Sequence, residues 1–84
     1  MATARQVTVN STPVLIATCD GTPRSISVHT VNTTYFGGDS SVSSSNGFRL
    51  DIDDKFTWTI IDGSSIYAVS GSGSHTVYVW EQIL

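Results

Sequence analysis

Turn-forming residues punctuate this chain at intervals of roughly 8–12 residues, and apolar and polar side chains alternate between them. Asn10-Ser11-Thr12-Pro13, Asp20-Gly21, Gly37-Gly38, Asn46-Gly47, Asp53-Asp54-Lys55, Asp62-Gly63 and Gly71-Ser72-Gly73 are the interruptions. The alternation is clearest at Ile26 and Val28, at Phe48, Leu50 and Ile52, and at Phe56, Trp58 and Ile60, each set falling on one face. A period of two belongs to a half-buried strand. Composition points the same way. Val, Ile, Thr, Tyr, Phe and Trp make up 35 of 84 residues, whereas the strong helix formers Ala, Leu, Glu, Lys, Gln, Arg and Met make up 15. β-branched and aromatic side chains fit a pleated surface and lose rotamer freedom in a helix. The expected fold is all-β: a small antiparallel β-sandwich or barrel of seven or eight short strands.

A loose N-terminal arm is expected over residues 1–6, with a single β domain over 7–84, because periodicity starts only at Val7-Thr8-Val9. The continuous apolar run Val14-Leu15-Ile16-Ala17 predicts a strand buried on both faces or meeting a partner chain. Asp39 to Gly47 contains five Ser and one apolar residue, Val42, and reads as a surface loop. In Thr76-Val77-Tyr78-Val79-Trp80 both faces are apolar. If Val77 and Val79 fill the core, Tyr78 and Trp80 point outward, and such residues are over-represented in interfaces.

Size and charge exclude several functions. An 84-residue chain of net charge −3, with only four Lys and Arg, lacks the clustered cations that nucleic acid requires. No run of about 18 apolar residues is present to span a membrane. A single Cys permits neither an internal disulfide nor a Cys-based zinc site. Asp51, Asp53 and Asp54 read as a solvated turn rather than a calcium loop, since no Glu follows at loop spacing. His29 and His75 lack further ligands at metal spacing and read as solvent-facing. Thirteen Ser make a Ser, His and Asp coincidence uninformative, and no Gly-x-Ser-x-Gly elbow is present. No enzyme, cofactor or metal is implied. A core this small favours association, so a symmetric homo-oligomer is expected.

Several strings resemble, in order, a small β module of tailed-bacteriophage virion proteins of the capsid-decoration and head-fibre type. They are Arg24-Ser25-Ile26-Ser27-Val28, Thr34-Tyr35-Phe36-Gly37-Gly38, Gly47-Phe48-Arg49-Leu50, Ser65-Ile66-Tyr67-Ala68-Val69-Ser70 and Val77-Tyr78-Val79-Trp80-Glu81. Arg49 stands where that module usually has Pro, and Asp53-Asp54-Lys55 replaces a Gly-containing turn. The resemblance implies a decoration (cement) protein on the outer surface of the head, bridging major capsid protein subunits, as a homo-trimer or other symmetric oligomer. Arg5, Val7, Val9, Arg24, Tyr78 and Trp80 are the residues expected at its partner or oligomer interfaces. A tail or head–tail junction subunit is one alternative. A carbohydrate-binding β module is another, with Tyr35, Trp58, Tyr78 or Trp80 stacking on sugar rings.

Overall fold

The computed structural model describes residues 2–84, and eight strands and no helix make up these described residues. They are β1 (Ala2–Val9), β2 (Val14–Thr18), β3 (Arg24–Thr30), β4 (Thr34–Gly37), β5 (Phe48–Leu50), β6 (Lys55–Ile60), β7 (Ser65–Ser70) and β8 (His75–Ile83). They form two four-stranded antiparallel sheets, ordered β1-β8-β3-β6 and β2-β7-β4-β5. The pairs β1–β8, β2–β7, β3–β6 and β4–β5 are the rungs of one long antiparallel ribbon. Winding that ribbon on itself brings β3 beside β8 and β4 beside β7. The result is a sandwich with the strand order of an eight-stranded jelly roll.

The core lies between the sheets and follows the alternation. From the first sheet Val9, Ile26, Val28, Val77 and Val79 point inward; Phe36, Leu50, Ile66 and Ala68 meet them from the second. Opposed residues of an antiparallel pair share a face, so the register Val79↔Val28↔Phe56 assigns each neighbour its side.

Four expectations need correction. Residues 2–6 are not loose: Ala2 to Gln6 pair with Gln82 to Tyr78 as the first part of β1. This stretch lacks an apolar signal because it forms an edge, with Ala2, Ala4 and Gln6 on the solvent side. β2 is not buried on both faces. A register shift between Leu15 and Ala17 turns both Ile16 and Ala17 inward and leaves Leu15 exposed. Ile52 leaves the Phe48–Leu50 alternation, because the Asp54 carboxylate accepts the Asp51 N–H and closes a turn that leaves Ile52 exposed. Asp53 takes φ 59° in that turn, a left-handed conformation that non-glycine residues seldom adopt. His75 does not face solvent; it turns inward, and its Nε2 lies 2.7 Å from the Thr34 hydroxyl.

The serine-rich loop is anchored rather than free. Val42 is buried and folds against Gly37, where an added Cβ would lie 2.8 Å from the Val42 side chain. At the loop's far end, a Cβ on Gly47 would stand 2.6 Å from Tyr35 Cβ. Both glycines are required by close approach of the loop to β4.

Candidate functional site

The outer face of the first sheet carries an open groove of about 750 Å³. Its floor is β8, where Val77 and Val79 fill the core and so drive Tyr78 and Trp80 to the other side. Tyr78 is 43% and Trp80 50% exposed. The register places Ala4 and Ser27 directly beside Trp80, on β1 and β3. Both are small, so the indole is not covered by its strand neighbours. Gln6 and His29 flank Tyr78 in the same way, and the His29 and Tyr78 rings lie 5.8 Å apart. Beyond β3, Thr57 shares a 2.9 Å hydrogen bond with Ser27, and Lys55 lies opposite His29. The groove thus sets two aromatic rings among hydroxyl and amide groups. It contains no carboxylate, although Asp53 in the neighbouring turn lies 3.5 Å from His29 Nε2.

Arg5 and Arg24 occupy a different place. Both point inward at one end of the sandwich and converge on Glu81, the only glutamate in the chain. Arg5 donates to one carboxylate oxygen at 2.9 Å and Arg24 to the other at 2.8 Å. Arg5 also donates to the Ile16 carbonyl of β2 at 2.6 Å, tying the edge of one sheet to the edge of the other. Burial raises the Glu81 pKa, but the bonds from Arg24 and Arg5 and their charges outweigh it and hold the carboxyl below its ordinary range. These arginines are therefore engaged within the chain rather than held out to an acidic partner.

The six expected interface residues accordingly separate. Tyr78 and Trp80 share the exposed face. Arg5 and Arg24 form the internal ionic bridge. Val7 packs against the core, and Val9, fully buried, is unavailable to any partner.

A second aromatic surface lies where β5 and β6 face each other at the side of the sandwich. Phe48, Phe56 and Trp58 are in mutual contact, with ring centroids 5.0 Å apart for Phe48–Phe56, 4.7 Å for Phe56–Trp58 and 6.0 Å for Phe48–Trp58. Phe36 backs Trp58 at 5.2 Å. Phe48 is 50% and Phe56 39% exposed, so the cluster is open to solvent along the β6 edge. Alternation correctly places Phe56 and Trp58 on the inner face. It carries no sign that this side of the sandwich stands open.

Several titratable groups elsewhere have local structural partners. Arg49 Nε donates to Asp51 at 2.7 Å, and Asp54 closes the turn described above. His75 is held between the Thr34 and Ser70 hydroxyls, and burial lowers its pKa. Among the described residues no three His, Cys, Asp or Glu side chains are grouped so as to hold a metal ion. Cys19 is buried, with its thiol 3.2 Å from the Thr22 carbonyl.

No protein-family model matches the chain, and no match is found among curated proteins or solved structures.

Proposed function

We propose that this chain is a structural protein of a tailed-phage virion: a decoration (cement) protein that binds the outside of the head and bridges neighbouring major capsid protein subunits without chemistry of its own. The observation that carries the reading is the pair of uncovered aromatic surfaces, one on the outer face of the first sheet and one at the β5–β6 side. Exposed aromatic patches on a small domain are a mark of interaction surfaces. Two of them facing different directions suit a piece that contacts more than one neighbour, and repeated weak contacts on a lattice add up through avidity. The ordered strings from Arg24 to Glu81 support the virion setting. The architecture is shared by viral capsid and lectin domains and does not choose between functions.

Quantitative mass spectrometry of purified virions tests the reading. A copy number on the scale of the major capsid protein is expected. A far smaller number, matching a tail or neck ring, would place the chain at the tail or head–tail junction. Absence from particles would overturn the virion reading. Trp80→Ala, which removes a half-exposed ring, is expected to weaken binding to shells while leaving the fold intact.

One observation favours a second reading, a carbohydrate-binding module. Of the four aromatic residues considered for sugar stacking, only Tyr78 and Trp80 share an open face, and small neighbours leave Trp80 uncovered beside hydroxyl and amide groups. Trp58 lies within the aromatic cluster, and Tyr35 is on the second sheet. Signal on a glycan array that Trp80→Ala abolishes would promote this reading; a silent array would remove it.

A further inference from the structure

An antiparallel sheet that ends in a regular strand leaves a row of backbone donors and acceptors unpaired, and proteins ordinarily blunt such edges. The sandwich has four edges. β5 is only three residues long, and β2 is broken by its bulge. β1 is long, but its solvent-side residues Ala2, Ala4, Gln6 and Thr8 offer little apolar surface to bury. The β6 edge differs from all three. Its six residues, Lys-Phe-Thr-Trp-Thr-Ile, run without a bulge or proline and pair only with β3. The half-exposed rings of Phe48 and Phe56 lie along it.

We propose that β6 pairs antiparallel with β6 of a second copy, giving a two-fold dimer with one continuous eight-stranded sheet. The occupant follows from self-complementarity. Inner faces match across a two-fold only if residues of equal parity oppose each other. The register centred on Thr57 meets that condition. It sets Thr57 against its own copy and Phe56 against Trp58, and it places Lys55, the only charge of the strand, opposite Thr59. No like charges meet, and aromatic and Thr–Thr cross-strand pairs are favourable. Closure uses up the exposed edge, so the assembly stops at two copies. The two-fold axis runs perpendicular to the sheet, so both Tyr78–Trp80 faces emerge on the same side. This assembly takes up the β5–β6 aromatic surface, so in a shell protein the second copy would be the neighbour met there and the two Tyr78–Trp80 faces would be left for the shell.

Sedimentation equilibrium on the full chain tests the proposal. The expected mass is twice the 9.0 kDa of the chain. Thr57→Lys and Thr57→Glu each place like charges at the two-fold centre, and each is expected to be monomeric with an unchanged far-UV spectrum. An equimolar mixture of the two is expected to recover the dimer mass, because opposite charges then meet. A monomeric wild-type protein across the concentration range overturns the proposal. So does a dimer that survives either substitution alone, or a pair of folded variants that fails to reassociate on mixing.

Discussion

The two sides of the sandwich are finished in opposite ways. On the β1–β2 side Arg5 crosses from the edge of one sheet to the Ile16 carbonyl of the other, with Glu81 and Arg24 completing the bridge. On the β5–β6 side Phe48, Phe56 and Trp58 fill the gap and remain partly in water. The polar side satisfies its charges within the chain. The aromatic side keeps unsatisfied apolar area, which only another surface can remove from water. The contrast separates residues that hold this fold from residues that remain available to a partner.

The largest expected effect lies on the aromatic side. Trp58→Ala removes the ring that joins Phe36 to Phe48 and Phe56, and should cost about 3 kcal/mol in urea unfolding. Phe48→Ser removes a half-exposed ring and should cost less, about 1 kcal/mol. Equal costs would mean that the cluster is ordinary core and not an available surface.

On the polar side, Glu81→Gln should cost on the order of 1–2 kcal/mol at neutral pH, since two charge-assisted bonds weaken at a site where Arg5 is still about a third exposed. The pH dependence follows from the lowered Glu81 pKa. The stabilisation is fully present above the ordinary value of 4.5 and is lost as pH falls through the depressed value in the fold. The gap between wild type and Glu81→Gln should therefore be constant near neutrality and close in acid. A gap that persists at low pH would mean that the bridge is not ionic in effect.

A smaller pH effect belongs to His75. Burial favours its neutral form, so stability should be complete above the ordinary value of 6.5 and fall as pH drops below it, where the unfolded chain takes up the proton first. His75→Gln should flatten that part of the profile. The smallest effect is expected at Asp53→Gly. Relief of the positive φ should stabilise the turn by less than about 1 kcal/mol, with little offset from the 3.5 Å contact to His29, in which the Asp53 carboxylate is largely exposed.

The contrast between the two sides was only half legible in the sequence. Alternation assigns Val77 and Val79 inward and Tyr78 and Trp80 outward, because pleating fixes successive side chains to opposite faces. The same rule puts Phe56 and Trp58 together. It says nothing of strand order, so the convergence of positions 5, 24 and 81 stays hidden until the sheets are assembled. A bulge likewise breaks the rule without a marker residue, which is why Ile16 and Ala17 escaped it. Residues 2–6 of β1 escaped for another reason: their backbone is paired by β8, and their solvent-side positions need no apolar residues.

The wound ribbon also orders events in time. Its β4–β5 turn is the shortest loop that any of its four rungs must close, whereas β1 and β8 come from opposite ends of the described chain. Closing a long loop costs more chain entropy than closing a short one, but each rung formed shortens the loop left for the next. Folding from the hairpin outward is thus the least costly route, with the β1–β8 rung and the Arg5 bridge arriving last. A circular permutant that joins Ala2 to the C-terminal strand and opens the 38–47 loop keeps every rung of the ribbon yet reverses the direction in which it can zip.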